Sequence, residues 1–252
     1  MKIIGVVPAR MDSSRFYGKP LHKINGRPMI EHVYERAKML ENLDFLVLSS
    51  CDKEIEEFAI KRGYNFITSS DKHERALDRI AEVGDKLNIN DDDIIINIKG
   101  DEPMLHPEFI DSLIQPILKD YNIHATVLGM EIHDEKIWKD PDTVKIIHNN
   151  NNEVLYTSRA PIPYSSEFSQ KLNAKRIFGI FAFRFKYLKI FNNKEETFLE
   201  KIESCDSNRI LDLDFKQFVV TIKNLDSFSV DKYKDIQIVE KYMEKDKYWG
   251  KY

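Results

Sequence analysis

Short apolar runs punctuate the chain, and the stretches between them carry helical spacing. Ile3-Ile4-Gly5-Val6-Val7, Phe45-Leu46-Val47-Leu48-Ser49-Ser50, Tyr64-Asn65-Phe66-Ile67-Thr68 and Ile94-Ile95-Ile96-Asn97-Ile98 are short apolar or aromatic runs and read as strands. Pro28 to Ala37 reads as a helix, with Pro in its first turn and Glu31 near the positive end of its dipole. Lys53 to Arg62 reads as another, with Asp52 placed to cap its start and Gly63 its end. A helix from Phe109 to Lys119 and a strand from Ala125 to Met130 continue the alternation. Strands alternating with helices predict an α/β fold: a mostly parallel central sheet with right-handed crossovers, flanked by helices.

The carboxyl half reads differently. The aromatic stripe Phe178-Gly179-Ile180-Phe181-Ala182-Phe183 and the run Phe218-Val219-Val220-Thr221-Ile222 predict a smaller, strand-rich lobe. Residues 149 to 152, all Asn, mark a hairpin or loop tip, and the tail from Asp235 reads as an amphipathic helix that frays after Met243. We therefore expect a single domain over residues 1–252 with three parts: a ligand-binding half at 1–130, a second half at 131–235 and a terminal helix at 236–252.

Composition narrows the function classes. With 38 Lys and Arg against 42 Asp and Glu, the net charge of −4 carries no footprint for nucleic acid or an anionic membrane. No apolar run approaches the roughly 20 residues of a membrane span, and the start lacks a signal peptide's apolar core. Two distant cysteines, Cys51 and Cys205, suggest neither a disulfide framework nor a zinc site, as expected of free thiols in a cytoplasmic protein.

Two junctions carry candidate chemistry. After the first strand, a polar loop brings Arg10, Arg15 and Lys19 ahead of a helix, an arrangement suited to a phosphorylated ligand beyond the carboxyl ends of a sheet. Taken alone, the same residues also describe a solvated loop. The strand at Ile94 runs into Lys99-Gly100-Asp101-Glu102-Pro103, where a metal carboxylate belongs, although an ordinary acidic turn reads the same way.

The opening Pro8-Ala9-Arg10-Met11-Asp12-Ser13-Ser14-Arg15-Phe16-Tyr17-Gly18-Lys19-Pro20-Leu21 resembles that of the 3-deoxy-manno-octulosonate (Kdo) cytidylyltransferases, PAR-x-x-S-x-R-x-x-GK-x-L. Gly100-Asp101-Glu102-Pro103 matches that family's GDEP, and Tyr156-Thr157-Ser158-Arg159-Ala160 resembles its Y-x-SRA. Phe178 to Arg184 resembles LGIYGYR, Leu199 to Glu203 resembles LE-x-IE, and Ser229-Val230-Asp231 stands where the family reads GVD. The resemblance implies a Rossmann-like nucleotidyltransferase fold and transfer of CMP from CTP to an acidic sugar, with release of pyrophosphate. It places CTP on Pro8, Ala9, Arg10, Ser14, Arg15, Lys19, His73, Arg79 and Asp101, with Arg10, Lys19 and Asp101 catalytic. It places Mg²⁺ on Asp101 and Asp231, and the acceptor beside Lys99, Glu102, Arg159 and Glu203. It also implies a homodimer.

Departures matter as much as matches. The family's SGT segment is Arg75-Ala76-Leu77 here, which touches base selectivity. Lys99, Ile177 and Ser207 replace Gln, His and Gln at positions that face the sugar in Kdo enzymes. Lys99 would suit a more acidic or a phosphorylated acceptor, or pair internally with Glu102. The rival readings are a nucleotidyltransferase with another acceptor or nucleotide, and a nucleotide-binding homologue without activity.

Overall fold

The computed structural model describes residues 1–12, 16–73, 75–222 and 229–252. Its fold is mixed α/β with a mostly parallel sheet flanked by helices, as the alternation predicts. Two compact units form: Met1–Asp111 with Asp226–Tyr252, and Ser112–Leu225. The divisions expected at 130 and 235 fall inside these units.

The first unit begins with β1 (Ile3–Pro8), the small hairpin of β2 (Lys23–Ile24) and β3 (Arg27–Pro28), and α1 (Met29–Ala37). β4 (Phe45–Ser50), α2 (Lys53–Arg62), β5 (Phe66–Thr68), α3 (Ala76–Lys86) and β6 (Ile94–Asn97) follow. β6, β1, β4 and β5 lie side by side, all parallel, with Val6 opposite both Val47 and Asn97. Ile4, Val6, Val47, Leu48, Ile95 and Ile96 are buried, which explains why the strands read as unbroken apolar runs. α3 packs Leu77, Ile80, Ala81 and Val83 toward β1 and β6. Gly63 caps α2 in the left-handed conformation, as expected. Asp52 occupies the N-cap position but makes no cap bond. Its carboxylate instead accepts from the Met11 amide at 2.7 Å and from the Ser50 hydroxyl at 3.2 Å, so this residue ties down the cationic loop.

The chain leaves the first unit within α4 (Pro107–Lys119). The second unit holds β7 (Ala125–Glu131), α5 (Glu135–Lys139), β8 (Lys145–His148), β9 (Val154–Ser158), β10 (Lys175–Arg184), α6 (Phe185–Asn192), α7 (Phe198–Glu203), α8 (Asp206–Asp212) and β11 (Gln217–Ile222). β10 pairs antiparallel with β7 and β8, β8 with β9, while β11 joins β7 in parallel. The run of asparagines is the β8–β9 turn, with Asn152 in the left-handed region and the Asn149 side chain accepting from the Asn151 and Glu153 amides. Arg209 of α8 clasps the buried Glu200 of α7 with two hydrogen bonds of 2.5 and 2.6 Å.

The closing segment returns to the first unit. Val230 and the α9 (Asp235–Met243) residues Ile236, Val239 and Met243 bury themselves with Ile24, Met29 and Met104. Beyond α9, Asp246 meets the buried Arg36 at 2.5 Å, and the Tyr252 hydroxyl lies 2.7 Å from His32 Nδ1 and 3.2 Å from Arg36 Nε.

Candidate active site

The carboxyl ends of β1 and β6 lie against each other, and the contact has no room for a side chain. A Cβ on Gly100 would sit 2.7 Å from the Pro8 carbonyl oxygen. Glycine there lets the turn after β6 approach β1, which aims Lys99 and Asp101 at the loop following Pro8. That loop is closed at its base by a hydrogen bond from the Gly18 amide to the Met11 carbonyl (2.9 Å), with Gly18 in the left-handed region. Lys19 follows directly, in a short 3₁₀ turn.

Between these walls is a cavity of about 290 Å³, lined by Pro8, Ala9, Arg10, Lys19, Arg79, Lys99, Asp101 and Asp231 among others. Among its described lining residues five are cations, with Arg75 the fifth, and three are acids, with Asp12 the third. An excess of fixed positive charge in a concave site favours a polyanion. Arg79 sharpens this. Its side chain is buried on α3, its Nε has no hydrogen-bond partner among the described residues, and burial together with the nearby Arg10 charge holds its pKa below the usual arginine value. Two guanidiniums close together with a buried donor unspent call for an anion.

The acidic side of the cavity is built around Asp101. Lys19 Nζ donates to its Oδ2 at 3.1 Å and to the Val230 carbonyl at 2.8 Å. Lys99 Nζ lies 3.5 Å from Oδ1, a buried oxygen that accepts no hydrogen bond from the described residues. Burial pushes the Asp101 carboxyl up, but Lys99 and Lys19 outweigh it and leave its pKa below the ordinary range. Burial pulls the Lys99 ammonium down, but Asp101 and Glu102 outweigh it and raise its pKa. Lys99 also reaches Glu102 Oε1 and Ser229 Oγ, both at 3.2 Å, and Ser229 donates to Glu102, whose side chain is fully buried. The Val230 amide donates to the Asp101 carbonyl at 3.0 Å, which brings Asp231 to the cavity wall.

Other expected site residues sit elsewhere. His73 holds Glu82 at 2.6 Å and is not in the cavity lining. Ser14 and Arg15 lie outside the described residues. Arg159 and Glu203 belong to the second unit, where they meet. The Glu203 carboxylate accepts from Tyr156 (2.9 Å), Ser158 (2.6 Å) and the Arg159 amide (2.7 Å). The Arg159 guanidinium donates to the carbonyls of Glu203 (2.7 Å), Pro141 (2.7 Å) and Ser204 (3.4 Å). Arg75, which stands in the altered SGT segment and was not among the expected site residues, also lines the cavity, just before α3.

A family model for cytidylyltransferases matches residues 4–220. The chain belongs to the cytidylyltransferase family. Among similar members is a 3-deoxy-manno-octulosonate cytidylyltransferase of Syntrophus aciditrophicus, 36% identical over 230 residues, spanning 91% of this chain and 92% of the relative. An 8-amino-3,8-dideoxy-manno-octulosonate cytidylyltransferase of Shewanella pealeana is 36% identical over 241 residues, 95% of this chain and 98% of the relative. Among solved structures, a CMP:2-keto-3-deoxy-manno-octonic acid synthetase in complex with CTP superposes with a TM-score of 0.90 at 31% identity, covering 97% of this chain and 99% of the other. A cavity with this excess of cations suits a polyanion such as a nucleoside triphosphate, and the unspent donor of Arg79 is the kind of group that a phosphate satisfies. Hard carboxylate oxygens with one orphaned atom, Asp101 Oδ1, also fit Mg²⁺, which needs only one or two protein carboxylates beside phosphate oxygens. No group of three or more metal-binding side chains occurs among the described residues.

Proposed function

We propose that this chain transfers CMP from CTP to an eight-carbon sugar acid of the 3-deoxy-manno-octulosonate type, releasing pyrophosphate for the synthesis of cell-surface polysaccharide. The observation that carries the reading is the gathering of Arg10, Lys19 and Arg79 with Asp101 and Asp231 around one cavity. Arg10, Lys19 and Arg79 would hold triphosphate oxygens and stabilise the charge that builds on departing pyrophosphate. Asp101 and Asp231 would hold Mg²⁺, which when bound polarises the α-phosphate and makes the acceptor hydroxyl more acidic. No covalent intermediate is needed: the acceptor oxygen attacks the α-phosphorus as the bond to pyrophosphate breaks.

For the acceptor we assign Arg159, whose three bonds to carbonyls leave part of its five-donor fork for a planar carboxylate, with Glu203 fixing the strand that carries it. Lys99 and Glu102, also expected there, are bound to one another. The exposed apolar side chains Leu155, Phe198 and Ile202 of the second unit support a homodimer. The half-buried Cys51 and buried Cys205, both free thiols, suit the cytoplasm, and no helix among the described residues is long and apolar enough to cross a membrane.

The test is pyrophosphate release with Mg²⁺ and CTP, in the presence of Kdo, of its 8-amino-8-deoxy analogue, or of neither. Release dependent on one of the sugar acids is expected, and Asp101→Asn should lower it by roughly a hundredfold or more. Release with neither acid above the control, or full activity in Asp101→Asn, would sink the reading.

A further inference from the structure

Both oxygens of Asp101 face a lysine ammonium. Lys19 takes Oδ2 at 3.1 Å, and Lys99 stands 3.5 Å from Oδ1. The two lysines are held differently. Lys19 belongs to the loop that receives the triphosphate, and its other bond is to a single backbone carbonyl. Lys99 is locked from behind by Glu102, which is fully buried, and by Ser229. A buried carboxylate such as Glu102 keeps its charge only beside a cation, so the protein holds Lys99 in place whether or not a ligand is bound.

We propose that Lys99 is a built-in counter-cation of the carboxylate site, a positioning residue that neutralises Asp101 before any ligand arrives and makes uptake of a divalent cation depend on the nucleotide. Without nucleotide, a divalent cation entering beside Asp101 meets two ammonium charges, and its binding is weak. An incoming triphosphate changes this balance in two ways. It draws Lys19 off Oδ2 toward its own oxygens, and it adds negative charge and oxygen ligands of its own. The cation then enters with the nucleotide rather than ahead of it. This rests on the reading of Asp101 and Asp231 as cation ligands, but not on which sugar is the acceptor.

The experiment is a titration of the nucleotide-free protein with Mn²⁺, reading free metal by electron paramagnetic resonance. Lys99→Gln should tighten Mn²⁺ binding roughly tenfold, the scale expected when one unit charge is removed from a few ångströms away. Lys99→Arg, which keeps the charge, should bind as the wild type does. Adding Asp101→Asn to Lys99→Gln should abolish the gain. Because Lys99→Gln takes the lysine ammonium away from Glu102, the same step is repeated in Glu102→Gln, where no buried charge loses that partner and the tightening should recur. Mn²⁺ affinity unchanged within twofold in both backgrounds, or a gain that survives Asp101→Asn, overturns the proposal. Pyrophosphate release is scored separately, so a protein inactive toward every sugar acid but showing the Mn²⁺ pattern loses the acceptor reading and keeps this one.

Discussion

At the scale of residues, the site depends on an atom that is missing. Gly100 has no Cβ, and the Pro8 carbonyl stands where one would be. Since the obstacle is backbone, it cannot swing aside as a side chain would. Gly100→Ala should therefore cost about 1–3 kcal/mol of stability through overpacking. It should also cut turnover more than tenfold, because Asp101 is the next residue and must move with the turn. Thermal unfolding alongside pyrophosphate release checks both; a variant as stable and active as the parent would show that the turn can yield. The residue types lining this cavity were legible through the family resemblance, since Arg10, Lys19 and Asp101 match its motifs and Asp231 stands where it reads GVD; taken alone, the same stretches also read as a solvated loop and an acidic turn. Their pairings were not. That Asp52 serves the Met11 amide rather than its own helix, or that Arg75 joins the cavity, depends on contacts between segments far apart in the chain.

At the scale of elements, the tail beyond α9 lies on α1 through polar groups that are almost wholly dehydrated. His32 is buried, Nε2 facing the Ile24 carbonyl at 2.8 Å and Nδ1 facing the Tyr252 hydroxyl. Burial, joined by the charges of Arg36 and Arg27, brings its pKa down to about 4. In the unfolded chain the imidazole titrates near its ordinary 6.5. Below that value the unfolded chain takes up a proton that the folded one refuses, so stability is complete above the unfolded pKa and drains away as pH falls toward 4. Between pH 7 and pH 5 this amounts to about 2 kcal/mol. Urea unfolding at both values should show that loss in the parent and little of it in His32→Gln; equal losses in the two would place the sensitivity elsewhere. The elements themselves were the most legible level. β4 falls where its apolar run puts it, because a strand buried on both faces leaves that signature, and α2 and α9 fall where helical spacing puts them, each burying one side only. What periodicity leaves out is which elements share a core: nothing local in Ser229-Val230-Asp231 says that Val230 packs with Ile24 and Met29.

At the scale of the molecule, a net charge of −4 coexists with a cavity whose described lining carries more cations than acids. The positive field is thus local and aimed, which favours a small polyanion over extended nucleic acid. The second unit exposes Phe198 and Ile202 one turn apart on α7. Light scattering should give twice the 29.7 kDa chain mass, and Phe198→Glu with Ile202→Glu should return the single-chain value. A monomeric parent would remove the homodimer. The first unit is also interrupted: the second lies between its two stretches, and Asp226–Tyr252 completes it. Synthesis runs from the amino end, so the cationic loop and Asp101 leave the ribosome well before Asp231 and the Val230 carbonyl that receives Lys19. The nascent chain carries this cavity unfinished until Asp226–Tyr252 is made, so the first unit closes only after the whole of the second has been translated.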